Sequence, residues 1–239
     1  MNESFDLFEE RLLQWGFSLN ENQKQNFLDY YHLLTEWNQV MNLTAITEFH
    51  EVIEKHFLDS ISLAAYIKLN ENWKIIDVGT GAGFPGIPLK IMFPGLEVLL
   101  ADSLNKRVRF LNEVIRKLKL DHIEAVHGRA EELAHKKEYR EQYDLCVSRA
   151  VANLASLSEY CLPYVKEGGV FAAYKSAGIE KEIEESQNAV QVLGGKMREV
   201  IEFQLADTGY GRSFVVIEKV KHTPKKYPRK AGMPAKDPL

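Results

Sequence analysis

Lys74-Ile75-Ile76-Asp77-Val78-Gly79-Thr80-Gly81-Ala82-Gly83-Phe84-Pro85-Gly86-Ile87-Pro88-Leu89 is the stretch from which the rest of the chain can be read. Ile75 to Val78 is a short apolar run, which predicts a buried parallel strand. Gly79, Gly81 and Gly83 follow at alternate positions. Pro85 then falls where the first turn of a helix accepts proline. Strand, glycine turn and helix is the layout of a nucleotide-binding βα unit. Glycine is needed there because the turn is tight and the ligand approaches bare backbone.

The turn alone does not name its ligand. Gly81-Ala82-Gly83-Phe84-Pro85-Gly86 also fits the dinucleotide pattern G-x-G-x-x-G. Two details favour S-adenosylmethionine. Asp77 stands at the strand end, two residues before the first glycine, where a carboxylate reaches an ammonium group directly or through water. Asp102 ends the next predicted strand, Leu96 to Ala101, and is the acid for the ribose. NAD enzymes also use an acid there, so Asp102 supports an adenosine ligand in general. A dehydrogenase therefore stays open, as does a glycine turn that only packs strand against helix.

The 239 residues suffice for one α/β domain with an extension, and a hydrophobic content of 45% supplies a core. The acidic N-terminus lacks an apolar signal core, and no run approaches the ~18 apolar residues of a membrane span. A soluble cytoplasmic protein is expected. Cys146 and Cys161 form no CxxC motif and have no histidine at metal spacing, which argues against a zinc site. They read as small buried hydrophobes. The net charge of −4 is uneven: residues 221–239 carry +5 and the remainder −9. Such a basic tail suits either a polyanion or a solvated flexible end.

Residues 1–70 read as a helical extension, 71–220 as the α/β domain and 221–239 as the tail. Phe5, Phe8, Leu12, Leu13 and Trp15 give one amphipathic face, and Asn20 to Gln23 resembles a capping box. Phe27, Tyr30, Tyr31, Leu34 and Trp37 form an aromatic stripe better suited to a core than to base stacking. A third helix is expected over 49–69. His56 and Asp59 share one of its faces and read either as a structural pair at a domain seam, the favoured reading, or as part of a substrate pocket. From Trp73 strands alternate with helices, which implies a parallel sheet. Strands are expected at about 74–79, 96–101, 122–127, 143–148 and 170–174. Residues 135–142 read as an exposed loop or helix end, and 196–206 with 213–220 as a closing hairpin. Five βα units closed by a hairpin match the seven-stranded, mostly parallel sheet of class I methyltransferases.

With these residues in view, the sequence resembles the RsmG (GidB) family of bacterial 16S ribosomal RNA 7-methylguanosine methyltransferases. The resemblance covers nearly the whole chain. It rests on Asn42-Leu43-Thr44, His56-Phe57-Leu58-Asp59-Ser60, the Asp77 to Gly86 turn, and Asp102-Ser103 with Lys106-Arg107. Gly128-Arg129-Ala130-Glu131, Ser148-Arg149-Ala150 and Tyr227-Pro228-Arg229-Lys230 complete it. It implies methylation of N7 of one guanine in the decoding-centre hairpin loop of 16S rRNA, with naked rRNA, a partial particle or the assembled small subunit as substrate. It implies a cofactor site at Gly79 and Phe84, adenine-side contacts at Ala130 and Glu131, and a cofactor-proximal arginine at Arg149. Asp77, Gly81, Gly83, Asp102, Ser103 and Leu104 complete the expected cofactor set. No metal and no membrane are expected, and the chain is expected to be a monomer.

Guanine N7 is an unprotonated acceptor, so its lone pair attacks a sulfonium methyl without shedding a proton and no general base is required. Amino-group methyltransferases often carry Asn/Asp-Pro-Pro-Tyr where this chain has Ser148-Arg149-Ala150-Val151. Arg149 is expected to border cofactor and base as the catalytic arginine, or else to brace the fourth strand through an acid. Lys106, Arg107, Lys175, Arg229 and Lys230 are expected to meet phosphates. A small-molecule methyltransferase, or an RNA-binding assembly factor with a vestigial cofactor site, would make different use of the same fold.

Overall fold

The computed structural model describes residues 2–205 and 209–239. Seven strands form one sheet in the order β3-β2-β1-β4-β5-β7-β6. They are β1 (Lys74–Val78), β2 (Glu97–Asp102), β3 (Ile123–His127), β4 (Tyr143–Arg149), β5 (Val165–Ser176), β6 (Gly195–Leu205) and β7 (Tyr210–Lys219). β1 pairs in parallel with both β2 and β4, whereas β7 is antiparallel to β5 and β6. The chain builds outward from β1 to β3, then restarts on the other side at β4. That reversal opens a crevice at the carboxyl ends of β1 and β4, where α/β sheets bind ligands.

The expected sheet is present, and most departures lie at element ends. Gly168 and Gly169 fall inside β5 rather than ahead of it. Tyr210 and Gly211 already belong to β7, and residue 206, placed in the hairpin from sequence, lies outside the described residues. The helix after the glycine turn is Gly86–Met92, with Pro85 at its N-cap after a cis Phe84–Pro85 bond, so proline precedes the first turn.

The first 66 residues pack three helical stretches onto one sheet face. Asn2–Gln14 buries Phe5, Phe8 and Leu12 but leaves Leu13 63% exposed, so the apolar stripe is narrower than its sequence suggests. Glu21–Met41 opens with the capping box: Asn20 and Gln23 exchange side-chain-to-backbone bonds of 2.9 Å. The Gln23 amide also donates to Ile91 O and Met92 O, satisfying carbonyls that end the Gly86–Met92 helix. Phe8, Phe27, Tyr30, Phe57 and Phe84 form one aromatic cluster, so this region shares its core with the sheet.

The third stretch covers 49–66 and changes its winding part-way. It is α-helical over Phe49–Val52 and π-helical over Ile53–Leu58, then α-helical again from Asp59. π-Turns recur at functional sites because the extra residue re-aims side chains. This one carries Lys55 and His56.

Leu154–Cys161 and Glu180–Val192 cover the other face of the sheet, and the C-terminal tail folds against that side. The tail is not a solvated end. Arg140 donates to Thr223 O at 2.8 Å and Tyr227 O at 2.9 Å, and His135 donates to Pro228 O at 2.8 Å. Residues 135–142, expected as an exposed loop or helix end, form a largely exposed run of turns that also anchors the tail.

Candidate cofactor and substrate site

The glycine turn is fixed from both sides. Asp77 Oδ2, at the end of β1, accepts from Thr80 Oγ1 at 2.6 Å and Gly86 N at 2.8 Å. Asp102 Oδ2, at the end of β2, accepts from Gly81 N at 2.9 Å, while its Oδ1 accepts from Leu104 N at 2.8 Å. Behind the turn, Tyr30 donates its hydroxyl to Ala82 O at 2.5 Å. That approach needs Gly83, because a Cβ there would lie 2.7 Å from the Tyr30 oxygen and the residue has φ of +101°.

Above the turn lies a cavity of about 240 Å³. Gly79, Asp102, Ser103, Ala130 and Glu131 line it, and so does Val151. A Cβ on Gly79 would meet Val151 Cγ2 at 2.6 Å, so the narrowness of this cavity depends on bare backbone. Gly232 and Ala235 of the tail also line it. Gly232 N donates to Glu131 Oε1 at 2.8 Å, which ties the tail to the cavity wall.

A second cavity of about 520 Å³ lies on the other side of the segment 149–152. Arg149 and Ala150 line the second cavity; Val151 and Ala152 line the first. Ala150 holds φ of +56°, a left-handed conformation uncommon for alanine and often found where strain serves a site. Lys55, His56, Asp59, Tyr174, Lys175 and Arg212 face the same space. Buried Asp59 accepts from Arg149 Nη1 at 2.7 Å and from Arg212 Nε at 2.8 Å. His56 stacks on Phe84 at 4.4 Å, and the Arg149 guanidinium sits 5.1 Å from the same ring. Burial first, and Arg149 second, pull His56 down to about 4, so it is neutral at pH 7.

Of the eleven residues expected at the cofactor, five line the first cavity: Gly79, Asp102, Ser103, Ala130 and Glu131. Gly81 and Gly83 do not; Gly81 donates its N–H to Asp102, and Gly83 packs against Tyr30 and Ile87. Arg149 does not; it turns into the second, because Asp59 and Lys55 O hold its guanidinium there. The bracing partner considered from sequence is therefore real, and it is Asp59. Phe84 is turned into the aromatic core under His56 rather than lining the cavity. Asp77 is fully buried beneath the turn, with Oδ1 unpartnered among the described residues. Leu104 contributes a backbone N–H to Asp102, and its side chain is exposed.

The basic residues divide. Lys106 and Lys230 are exposed, and Arg107 reaches Asp102 at 3.3 Å while keeping a third of its side chain in solvent. Lys175 is taken up by Glu182 and Ala152 O. Arg229, expected at a phosphate, is engaged within the protein: its guanidinium clamps the fully buried Glu159, donating at 2.7 Å, and also holds Asp237 O. A buried carboxylate demands a paired cation, and Arg229 is that cation. Sequence reasoning missed Lys55, Arg212 and Gly232 at these cavities, while His56 and Asp59, left between a domain seam and a pocket, sit at both: Asp59 bonds across to β4 and β7, and both residues line the second cavity. The pairing of His56 and Asp59 on one helix face was the available signal.

A family model described as rRNA small subunit methyltransferase G (GidB) matches residues 23–209. The chain belongs to this family. Curated members named ribosomal RNA small subunit methyltransferase G include those of Lachnoclostridium phytofermentans and Desulforamulus reducens. The first is 56% identical over 97% of this chain and 96% of its own length. The second is 51% identical over the full length of both. Among solved structures, M. jannaschii TYW2 in complex with AdoMet superposes with a TM-score of 0.56 at 17% identity, covering 74% of this chain and 80% of its own. TrmN from Thermus thermophilus does so at 0.52 and 16%, covering 70% and 53%. These likenesses establish the class I methyltransferase fold for the family member described here.

S-adenosylmethionine is the cofactor of that fold, and the residues fit it. The first cavity offers carboxylates to hydroxyl and amino groups, apolar walls to a ring, and bare glycine backbone. Asp77 Oδ1 is a buried acceptor with no donor among the described residues. Among the described residues no group of His, Cys, Asp and Glu side chains could hold a metal ion, and no helix is long and apolar enough to cross a membrane.

Proposed function

We propose that this protein methylates N7 of one guanine in 16S rRNA, using S-adenosylmethionine. The observation that carries the reading is the shared wall: one segment, 149–152, separates an adenosine-sized cavity from a cationic one. In this reading Asp102, Ala130 and Glu131 hold the adenosine part of the cofactor, and Asp77 balances its ammonium group. The bound sulfonium supplies an electrophilic methyl group.

The protein's own part is positioning. Guanine N7 has no proton to lose, so no side chain has to act as a base. His56, held near 4, is too weak a base for such work at neutral pH and suits a packing role against Phe84. Arg149 cannot bond N7 during transfer, because that lone pair is the nucleophile. It serves instead as a donor to O6, with Asp59 fixing the guanidinium plane. In-line orientation of this kind supplies ~7–11 kcal/mol in favourable cases. The guanine is splayed out of its loop to enter the second cavity. Lys106, Arg107 and Lys230 remain the candidates among the earlier set for phosphate contacts at the rim. The protein acts as a cytoplasmic monomer on rRNA or a small-subunit particle.

Calorimetry with S-adenosylmethionine and its demethylated product tests the cofactor half. Uptake of both is expected. Absence of uptake, with or without rRNA, would contradict the reading.

A further inference from the structure

The two lysines and two arginines of the second cavity are not neutralised equally. Lys55 pairs with Glu51 at 2.5 Å, and Lys175 pairs with Glu182. Arg149 and Arg212 share one carboxylate, Asp59. Among the described residues, one positive charge is thus left uncompensated at the cavity wall. Charges in partly buried places are ordinarily paired.

Arg212 is the arginine with capacity to spare. It spends Nε on Asp59 Oδ1, and Nη1 makes only a 3.5 Å approach to Gly211 O. Its Nη2 meets no partner among the described residues. β7 presents it next to Ser176 of β5, and its guanidinium carbon lies 5.7 Å from the Tyr210 ring. Asp59 holds it in a fixed plane, leaving the outer edge of the guanidinium, which is the edge that grips phosphate. Arg149 belongs to the segment 149–152 whose far end lines the first cavity; Arg212, on β7, lines the second cavity alone.

We infer that Arg212 is the anchor for one backbone phosphate of the target nucleotide, with Asp59 as the positioning residue that couples it to Arg149. This inference rests on the rRNA reading above. Seating the phosphate completes the charge balance of the cavity. Through Asp59 it also sets the Arg149 plane, so backbone grip and base orientation form one unit.

The test is filter binding of the protein, loaded with S-adenosylhomocysteine, to small-subunit rRNA from a strain lacking it, across a series of KCl concentrations. Arg212→Gln should weaken binding roughly tenfold and reduce the log–log salt slope by about 0.7–0.9, the signature of one lost phosphate contact. Arg212→Lys should restore most of the slope. Affinity for S-adenosylhomocysteine should stay within about twofold in both variants, which also shows that they are folded. An unchanged salt slope would overturn the assignment. A roughly tenfold loss of S-adenosylhomocysteine affinity would overturn it too, by placing the cofactor carboxylate on Arg212. The binding slope needs no turnover, so absence of methyl transfer by the parent protein would count against the rRNA methylation reading alone.

Discussion

Asp59 Oδ2 and Arg149 Nη1 lie 2.7 Å apart although 90 positions separate them in the chain. The bond joins the N-terminal helices to the end of β4, at the mouth of the site. Asp59 is buried, while Arg149 and Arg212 keep 15% and 25% of their side chains exposed. Removing the acid leaves two guanidiniums in a half-dry cavity. Asp59→Ala should destabilise the protein by about 3 kcal/mol, near the lower end for a broken buried pair. It should also abolish most methyl transfer. Urea unfolding checks the first, and a variant as stable as the parent would show the network to be dispensable.

Tyr30 supports the glycine turn from the helical side. Tyr30→Phe deletes the bond to Ala82 O and leaves a buried carbonyl without that donor, at about 1–3 kcal/mol. Gly83→Ala should be worse, because the new methyl would also lie 2.4 Å from Ile87 Cδ1 at a positive φ. Thermal unfolding of the two variants should rank them in that order.

Asp77 predicts a pH dependence with a definite sign. Burial raises its carboxyl from the ordinary 3.8 to about 7, against hydrogen bonds from Thr80 and Gly86 that pull it down. Between about 4 and 7 the folded protein keeps this proton while the unfolded chain has lost it. Folding therefore takes up a proton in that window, and Asp77 makes stability fall as pH rises across it. Asp77→Asn should flatten that part of the profile in urea melts at a series of pH values. Pairing with the cofactor ammonium requires the ionised form, so S-adenosylmethionine should bind more weakly below pH 7 in the parent. The variant should lack that dependence; identical profiles for both would contradict this role for Asp77.

The tail belongs to the site. Gly232 and Ala235 line the first cavity, and Arg229 clasps Glu159, which has no exposure of its own. Glu159→Gln weakens that clasp and should cost about 2–3 kcal/mol of stability. It should also weaken S-adenosylhomocysteine binding several-fold, measured by calorimetry. Lost stability with unchanged affinity would reduce the tail to a structural strap.

Much of this is legible in the sequence. The Ile75 to Gly83 pattern fixed β1 and its turn, because buried strands and bare-backbone turns admit few residue types. The Asn20–Gln23 box and the buried Phe27, Tyr30 and Leu34 stripe were local patterns and emerged as read. What sequence could not show were partners far apart in the chain. Nothing local links Asp59 to Arg212, or Glu159 to Arg229, and a charge count cannot tell a clamped arginine from a solvated one. The tail's composition left a polyanion contact and a solvated end equally open, and neither reading foresaw its anchors, Arg140 and Glu159, which lie in other elements. Phe84 and Arg149 carry their family positions, but only packing shows that each turns away from the first cavity.

The central claim is transfer of a methyl group to a nitrogen that has no proton to give up. The most direct measurement is labelling of small-subunit rRNA from a strain lacking this protein with tritiated S-adenosylmethionine, followed by digestion and identification of the labelled nucleoside. The account predicts 7-methylguanosine at a single position. Label on a ribose, on a pyrimidine carbon or on an exocyclic amine would contradict it.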